Sequence, residues 1–594
     1  MQADTITRRR LVQLAGAATG VALAGCADDD PADEEGMGER VPEPLVIEYW
    51  SDLGGNTQVK EAAGPIIQEN LQETLDTDIE LRPVEFTTQL ANNLHDSRTH
   101  HISFWYHANV PDRLDPDEMT RRYAIDWAGG TGMDNPPNYA SCEYSEPALE
   151  QRRVVDEERR RELVYEAQSI LSEEYITLPL MPQLELSAAN AGTVDVNGTG
   201  EAGLGATNPH SFIFSEPTDG DVMSVNIVDT YLRTTNYPVL DASPGVLFWT
   251  HLINSAFVGY DENYELQNIL AESIESENDG ERLIVELKDA TFHNGDPVTS
   301  EDVKFSYEFL WEAGGAFPQV QRPDYTSIEI VDERTTEFNF EDPTPAVIAR
   351  EWAKWGILHQ DTWVEGGADG DPEEISLDEI VGCGPFEVEQ LSLGDFIFLT
   401  PHDGHPVYEP DHEIEFEVFR DEVSAVETFV AGDLDAITNL SPGGAERIED
   451  EMEADAEIVP SEGFLSYLLY PQYPYPPNTF EEFRQAVGMC MDRELMVEVA
   501  LDGRGDPEMY SCPIRETHPY RPPDDMLTRM ADDPSGDIEG ARQVLEDAGW
   551  SWDDDDNLRY PEGADTSELW PAEELPRPED FDCLDDDGEY VGTS

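Results

Sequence analysis

Residues Asp289–Leu310 constrain the fold more than any other stretch of the sequence. An alternating segment ends in Phe292, and a polar turn, 293–297, follows it. Thr299 and the acidic residues after it suit the start of a helix, because a Thr cap satisfies free backbone N–H groups and acidic side chains favour the helix dipole. Apolar residues then continue along this helix as far as Leu310. The stretch therefore predicts a strand, a tight turn and a capped helix.

The residue order in this stretch resembles the signature of the family-5 extracellular solute-binding proteins, the peptide and nickel receptors of ABC importers. Further segments resemble other patterns of that family, namely Phe257–Ile274, Val381–Phe386, Phe416–Leu434, Phe483–Arg493 and Asp537–Trp550. The resemblance covers most of Leu45–Pro561. It implies an α/β fold with two lobes, of the periplasmic-binding-protein type II class that includes the large peptide receptors. It also implies that Asp289–Leu310 is scaffold rather than a ligand contact.

The order of these segments differs from the family order. In the family, the helix that corresponds to Asp537–Trp550 precedes the counterparts of Leu45–Val196, whereas in this chain those counterparts come first. The resemblance therefore implies a circular permutant, and the alternative is that Leu45–Val196 is an unrelated added domain. In the permuted arrangement, residues 45–175 and 462–594 form one lobe and residues 176–461 form the other. The acidic tail from Asp565 is then expected to run back towards Leu45.

Hydrophobic periodicity predicts alternating strands and helices near the start of the folded body. The predicted strands are Leu45–Trp50, Ile79–Val84, Ile102–Tyr106 and Tyr175–Met181, and the predicted helices are Lys60–Leu75 and Asp156–Glu174. Such alternation is typical of an α/β domain.

The first 26 residues have the composition of a targeting segment. Thr7–Val12 resembles a twin-arginine export motif, an apolar run follows, and Leu23–Cys26 matches a lipobox whose Cys26 would carry the lipid. The alternative, a transmembrane helix, requires about 20 apolar residues, and this run is shorter. Residues 27–44 then predict a solvated acidic tether. The expected location is the extracellular face of the cell membrane, held there by the lipid anchor.

The net charge of −95 arises from 129 acidic and 34 basic residues spread along the whole chain. A hydrophobic content of 39% with 11 tryptophans excludes an acidic disordered chain. Concentrated salt screens such self-repulsion, and the composition resembles that of proteins from extreme halophiles. Without a basic surface the chain is not expected to bind nucleic acid.

No motif for catalysis, a cofactor or a metal ion emerges from the sequence. The pair His100–His101 and the trio His402, His405 and His412 are the nearest approach to a metal site, but their spacing favours polar loops. Beside Cys26 there are five cysteines, Cys142, Cys383, Cys490, Cys512 and Cys583, which allow at most two disulfides and leave an unpaired thiol. Cys383 and Cys490 match small-residue positions of the family, which implies that they are buried.

The resemblance implies one ligand contact, Asp112. Peptide-binding relatives place an Asp four residues before a Pro, where it pairs with the ammonium group of the peptide, and Asp112 precedes Pro116 with that spacing. The alternative is an ordinary surface acid, neutralised by Arg113. The loop 51–58 has no Arg to hold a dipeptide carboxylate, so longer peptides, bound as an added strand, fit better. The aromatic run from Phe464 to Tyr475 either lines a cleft or packs within a strand.

The sequence as a whole predicts a non-enzymatic substrate-binding receptor of an ABC importer, with oligopeptides as ligand and permease subunits with their ATPases as partners. No cofactor is expected. The alternatives are a cell-surface hydrolase or peptidase, a sensor without transport, and a nickel-chelate or sugar receptor on the same fold, because one fold serves several ligands.

Overall fold

The computed structural model describes residues 37–51, 54–93, 99–129, 135–205, 208–218, 220–228, 251–313, 325–461, 463–570, 574–588 and 590–592. The predicted export signal with Cys26 and most of the predicted tether lie outside these residues. No helix within the described ranges combines the length and the apolar character needed to cross a membrane.

The strands, in chain order, are β1 Leu45–Trp50, β2 Ile79–Val84, β3 Ile102–Tyr106, β4 Leu178–Pro182, β5 Leu186–Asn190, β6 Val194–Asp195, β7 Glu216–Pro217, β8 Val222–Val228, β9 Val258–Tyr260, β10 Leu266–Asn268, β11 Ala271–Glu277, β12 Arg282–Leu287, β13 Tyr325–Ile330, β14 Thr335–Phe340, β15 Phe386–Ser392, β16 Phe396–Pro401, β17 Glu413–Phe419, β18 Ala436–Leu440, β19 Ala456–Ile458, β20 Ser466–Pro471, β21 Ser551–Trp552 and β22 Leu558–Arg559.

The α-helices are α1 Gly54–Leu75, α2 Phe86–Asn92, α3 Pro116–Thr120, α4 Cys142–Glu150, α5 Glu157–Glu173, α6 Pro209–Ile213, α7 Ser300–Ala313, α8 Ala346–Ala349, α9 Glu351–Lys354, α10 Gln360–Glu365, α11 Glu422–Val430, α12 Pro442–Met452, α13 Glu481–Met489, α14 Arg493–Ala500 and α15 Ile538–Asp547. Short 3-10 helices occur between these elements, among them Pro111–Leu114, which lies between β3 and α3.

One lobe is built on a five-stranded sheet in the order β2-β1-β3-β20-β4. We call this lobe II, and it comprises the described residues of 37–182 and 463–592. Strands β1, β2 and β3 run parallel, whereas β20 pairs antiparallel with both β3 and β4. Strand β20 enters this sheet from far along the chain, so the two parts of lobe II share one sheet.

Apolar layers cover both faces of the lobe II sheet. On one face, α1 packs with α13, α14 and α15, and residues from both chain parts, such as Ile67, Leu71, Val487 and Leu545, form one core. The other face carries an aromatic-rich core of Trp50, Trp105, Tyr123, Tyr139, Tyr144, Leu171 and Tyr470 with their smaller neighbours. The buried sheet with helical layers confirms the predicted α/β class.

The other lobe, lobe I, comprises the described residues of 184–461. Its main sheet has seven strands in the order β15-β16-β17-β8-β18-β5-β19. Strands β17, β8 and β18 are parallel neighbours, and the outer pairs are antiparallel. Within this lobe a second, antiparallel sheet of four strands in the order β11-β12-β14-β13 packs against α7.

Helix α7 of the stretch Asp289–Leu310 packs on this smaller sheet, and the predicted turn and helix are observed. The strand predicted before them is not: β12 ends at Leu287, and residues 289–292 contribute only an isolated bridge from Thr291 to Pro297. At the start of α7 the Asp302 carboxylate accepts from the backbone N–H and from the hydroxyl of Thr299, at 3.1 and 2.6 Å, so the acid of the first turn makes the observed cap contact. Phe292 is fully buried in the core beneath the helix. The His293 ring accepts a hydrogen bond from the Gly382 N–H at 3.1 Å, which joins the stretch to Val381–Phe386. A side chain on Gly382 would collide with the Ile253 carbonyl, so glycine is required there.

The first described residues pair with a segment near the end of the chain. The Val41 N–H donates to the Leu558 carbonyl at 2.9 Å, the Gly38 N–H donates to the Tyr560 carbonyl at 3.1 Å, and Val41 is buried in the lobe II core. The prediction of a solvated tether is therefore wrong for the described residues 38–41, because Val41 supplies apolar surface to that core. The predicted tether begins in residues that the structure leaves undescribed.

The acidic tail from Asp565 contacts Glu39 and then packs against lobe II. The Thr566 hydroxyl donates to the Glu39 carboxylate at 2.9 Å, which agrees with a tail that runs back towards the start of the body. Further on, Trp570 and Cys583 are buried beside Ile125, and Cys583 forms a disulfide with Cys142 across 441 residues of sequence. The tail is thus covalently held to lobe II.

The sheets place the lobe crossings a few residues from the predicted limits. The first predicted limit was between residues 175 and 176, yet β4 pairs with β20 in the lobe II sheet, because its apolar residues are buried there. The chain leaves lobe II between Pro182 and Leu186 and returns between Ile458 and Ser466. The division into lobes itself remains our interpretation.

Candidate functional site

The candidate site lies where the two chain crossings between the lobes run side by side. Its first crossing, Pro182–Leu186, links β4 to β5, and its second, Ile458–Ser466, links β19 to β20. The Gln183 N–H donates to the Leu465 carbonyl at 3.1 Å, and the Ser461 N–H donates to the Glu185 carbonyl at 2.8 Å. The two crossings form a short double-stranded connection, which is a suitable place for a hinge because few residues need to move.

Asn109, in the loop after β3, fastens the second crossing to the first. Its side-chain oxygen accepts hydrogen bonds from the N–H groups of Phe464 and Leu465, both at 3.0 Å. Its amide donates to the Gln183 carbonyl at 2.8 Å. Gly463 has a φ of 61°, and a Cβ there would lie 2.5 Å from the same carbonyl. Close approach of the three segments therefore depends on a glycine and an amide that sequence reasoning did not single out.

One face of the lobe II sheet leads from α1 to this connection. Tyr106 on β3 pairs directly with Tyr467 on β20, which pairs with Met181 on β4, and directly paired residues point to the same face. The Lys60 ammonium lies over the Trp50 ring, 2.8 Å from its centre, and 4.9 Å from the centre of the Tyr106 ring. These contacts are cation–π interactions, which are strongest where water is excluded.

Three residues of the aromatic run 464–475 are packed rather than open. Phe464, Tyr467 and Tyr470 are each no more than 1% exposed. The Tyr470 hydroxyl meets the Tyr123 hydroxyl at 2.6 Å and the His107 ring nitrogen at 2.8 Å. Burial lowers the pKa of His107 well below its ordinary value and raises the pKa of Tyr470, so both are neutral. Of the two alternatives for this run, packing within the strand and its neighbours is the one observed for these three residues.

Asp112, the predicted ligand residue, lies in the 3-10 helix Pro111–Leu114, directly after the loop that holds Asn109. Its side chain is outside what the structure describes, so its role stays a prediction. The neighbouring Arg113 guanidinium donates to the Ala108 carbonyl at 2.5 Å. Asp112 thus follows β3 and lies close in sequence to Asn109, which contacts the connection between the lobes.

A cluster of buried charges follows Asp112 and joins the lobes. The Asp117 and Glu118 carboxylates meet several guanidinium groups of lobe II, those of Arg121, Arg122 and Arg152. Arg350 of lobe I adds contacts to Asp117 at 2.8 Å and to Glu118 at 3.3 Å. Burial alone would raise the pKa of Glu118, but the surrounding arginines outweigh it and hold that pKa well below its usual range. The cluster is an ionic contact between the lobes.

The histidines that first suggested a metal site are used in ordinary hydrogen bonds. The pair and trio make different contacts: the His101 ring accepts from the Val46 N–H at 3.0 Å, His402 meets the Thr291 carbonyl, His405 meets the Ser255 hydroxyl and His412 meets the Phe212 carbonyl. Burial lowers the pKa of His100 and of His405 to about 3. In the part of the chain that the structure describes, no group of three potential ligands is arranged for a metal ion.

Within the described residues, the cysteines divide between one disulfide and three buried thiols. Cys142 and Cys583 are bonded, while Cys383, Cys490 and Cys512 are free and buried. Burial raises the pKa of the Cys383 thiol to about 12 and that of Cys490 to about 11. The burial expected for Cys383 and Cys490 is confirmed, and these thiols are unreactive rather than nucleophilic.

Glu185 is the residue of this site that sequence reasoning missed. It lies in the first crossing, and its side chain is half-buried. Burial raises the pKa of its carboxyl group to about 7. No sequence signal separated it from the other acids of the chain, because its surroundings are created by segments that are distant in sequence.

The comparisons with known proteins agree with the fold. Residues 265–579 match the family model described as "Bacterial extracellular solute-binding proteins, family 5 Middle", which is more than half of the chain. The chain therefore belongs to family 5 of the bacterial extracellular solute-binding proteins. Proteins of this family are transport receptors of the two-lobed α/β type rather than enzymes.

Several individual proteins are similar to parts of the chain. The probable D,D-dipeptide-binding periplasmic protein DdpA of Escherichia coli is 26% identical over 41% of this chain and 46% of its own length. The oligopeptide-binding protein AppA of Bacillus subtilis is 24% identical over 58% of this chain and 62% of its own length. The chain thus spans about half the length of the curated relatives it matches.

Two solved structures have a similar fold in part. The oligopeptide-binding protein AppA of Bacillus subtilis, in complex with a nonapeptide, has a TM-score of 0.42 and 19% identity, over 58% of this chain and 67% of that one. NikA of Brucella suis, in complex with Fe(III)-EDTA, has a TM-score of 0.45 and 19% identity, over 59% of this chain and 68% of that one.

Proposed function

We propose that the protein is the substrate-binding receptor of an ABC importer and captures oligopeptides for delivery to a permease and its ATPases. The main observation in support of this proposal is the double-stranded connection between the two lobes. It lies at the end of the lobe II sheet face that begins beside α1. The similar proteins include a probable D,D-dipeptide-binding and an oligopeptide-binding protein, which favours peptides over other solutes. The chain itself is proposed to have no catalytic activity.

The mechanism that follows is closure of the lobes about the connection at 182–186 and 458–466. A ligand drives closure only if it binds the closed arrangement more tightly than the open one. The contact of Arg350 with Asp117 and Glu118 supplies an interaction that exists only while the lobes are together. The closed form is the form that docks on the permease.

Within this function, Asp112 is proposed to bind the ammonium group of the peptide. The position of its 3-10 helix beside Asn109 supports the proposal. An Asp112→Asn variant is expected to bind free peptides at least about tenfold more weakly, because a charge-assisted hydrogen bond is lost. Undiminished binding by this variant would remove Asp112 from the site.

The location proposed is the extracellular face of the membrane of a halophilic cell, reached by twin-arginine export and kept by lipid on Cys26. The sequence of residues 1–26 and the charge of −95 support it. A Cys26→Ser variant expressed in a halophilic host is expected to appear in the medium instead of the membrane fraction. Equal membrane retention of both proteins would contradict lipidation at Cys26.

The segment order is proposed to be a circular permutation of the family order, with lobe II in two parts. The hydrogen bonds between residues 38–41 and 558–560 support it, because they bring the two new ends together. In addition, only residues 265–579 match the family model, as expected if the remainder stands out of order. A reordered chain, with residues 219–561 placed before 41–218, should fold to the same circular dichroism spectrum and bind the same ligands. The control is a second reordered chain whose new ends lie within α5. If the chain reordered at the proposed ends fails to fold just as this control does, the permutation is contradicted.

The test of the receptor function is incubation of the purified protein with a defined peptide mixture in concentrated salt. We expect stoichiometric retention of intact peptides, with no change in the composition of the mixture over time. Accumulation of shorter products would show a peptidase and overturn the proposal. Retention of a metal chelate or a sugar in place of peptides would support the receptor function but show that its ligand is not a peptide.

A further inference from the structure

Glu185 lies in the connection between the lobes, where the turn between β9 and β10 approaches it. Its backbone carbonyl accepts from Ser461 of the other crossing at 2.8 Å. Tyr264, in the turn between β9 and β10 of lobe I, reaches the same place: its ring lies 5.1 Å from that of Phe464, and its hydroxyl is 3.4 Å from that of Ser461. The Glu185 side chain therefore lies among segments that are distant in sequence, and only a minor part of it remains accessible.

The Glu185 carboxylate has no counter-ion among the described residues. Neither an ion pair nor a side-chain hydrogen bond to it occurs there, and burial is the sole cause of its raised pKa. Its negative charge in turn contributes to the raised pKa of Tyr264 and of Tyr467, after the larger contribution of burial. An acid held away from water without a partner is costly, and such groups concentrate at functional sites.

A second acceptor lies on the same side of the crossing. Gln183 is two residues before Glu185, and along an extended chain such residues point to the same face. This face continues that of Met181 and Tyr467 on the paired strands. The Gln183 side chain is 2% exposed, and its amide oxygen has no hydrogen-bond partner among the described residues. The place thus offers a carboxylate and an amide oxygen next to two aromatic rings.

We propose that Glu185 and the Gln183 amide oxygen form a cation-binding subsite at the connection between the lobes, which takes a protonated amine or guanidinium group of the ligand. Two acceptors complement a group that only donates hydrogen bonds, and the rings of Tyr264 and Tyr467 favour an organic cation over a hydrated metal ion. Because residues from both lobes surround it, a cation bound there would favour the closed arrangement. The subsite rests on the proposed receptor function and is separate from Asp112.

The same chemistry has two sources in a peptide, its terminal ammonium group and a basic side chain. Four matched synthetic peptides separate them: free or acetylated at the amino end, and with or without one arginine. Binding is measured by calorimetry in concentrated salt at about pH 8, where Glu185 is ionised. The variants are Glu185→Gln and, as a control, Glu457→Gln, which changes an exposed acid on the neighbouring strand β19.

We expect Glu185→Gln to weaken binding of cation-bearing peptides at least about tenfold, because a hydrogen bond to a charged group is lost. The peptide without either cation should bind the wild type and Glu185→Gln alike, and Glu457→Gln should match the wild type throughout. If acetylation alone abolishes the difference, the terminal ammonium group is the source. If removal of the arginine alone abolishes it, the side chain is the source. Equal binding of all four peptides by Glu185→Gln and the wild type would overturn the subsite but leave the receptor function intact.

If the wild type binds none of the four peptides, the peptide-receptor proposal fails, and the subsite is then tested with agmatine, which carries both cationic groups. Binding of agmatine by the wild type and its loss in Glu185→Gln would support the subsite. Equal heats of agmatine binding to the wild type and to Glu185→Gln would overturn the subsite.

Discussion

Replacement of Glu185 by glutamine is expected to stabilise the ligand-free protein above neutral pH. The carboxyl group has an ordinary pKa of 4.5 and a pKa of about 7 in the folded chain. Below about pH 4.5, both the folded and the unfolded chain hold the proton, so the group costs nothing. Between about pH 4.5 and 7 the unfolded chain releases the proton while the folded chain keeps it, and stability therefore falls as the pH rises.

The full cost of ionised Glu185 is reached above about pH 7. At 1.36 kcal/mol per pKa unit, the difference between 4.5 and about 7 corresponds to roughly 3 kcal/mol. Glutamine has nearly the same shape and carries no charge, so it removes this cost. The origin of the shift is burial rather than a neighbouring charge, and salt therefore screens it little.

The assay is thermal unfolding of ligand-free protein at constant salt, followed by circular dichroism at about pH 4.5 and about pH 8. Glu185→Gln should unfold roughly 3 °C above the wild type at the higher pH and at the same temperature as the wild type at the lower pH. Glu457→Gln should follow the wild type at both. A Glu185→Gln protein that is less stable than the wild type at about pH 8, or that differs equally at both pH values, would refute the reasoning.

Three further outcomes follow from the described contacts. Replacing Cys142 and Cys583 by serine should cost about 2–5 kcal/mol of stability and make the tail sensitive to protease, and an unchanged unfolding temperature would contradict the disulfide. Asn109→Ala removes three hydrogen bonds at the connection between the lobes and should cost about 3 kcal/mol, whereas a loss below the error of the measurement would show that the amide does not fasten the crossings. Arg350→Met leaves Asp117 with one cation fewer and should lower stability by about 2 kcal/mol, with Arg350→Lys intermediate; an Arg350→Met protein as stable as the wild type would contradict an ionic contact between the lobes.

Local sequence patterns predicted the regular elements of the body well. The strands β1, β2 and β3 have the predicted limits, because β1 and β3 are short, mostly apolar runs and β2 alternates apolar and polar residues. Helix α5 begins and ends one residue inside the predicted range. Helix α1 starts at Gly54 instead of Lys60, since a Gly-Gly start gives no periodic signal, and its Pro65 lies on the exposed side.

Features that depend on distant segments were not predictable in the same way. The pairing of β20 with β3 and β4 joins residues that are hundreds of positions apart, and only the family resemblance suggested that lobe II has two parts. The disulfide partner of Cys142 was one of several alternatives. Glu185 is one of 129 acidic residues, and its isolation from cations is set by how the two crossings and Tyr264 come together.

The central claim, that this chain is a receptor for peptides, is tested most directly by native mass spectrometry of protein purified in concentrated salt without added ligand. We predict a one-to-one complex whose bound mass, after release, consists of intact oligopeptides. Protein that carries no ligand and takes up none from a peptide mixture, or that releases only cleavage products, would contradict the claim.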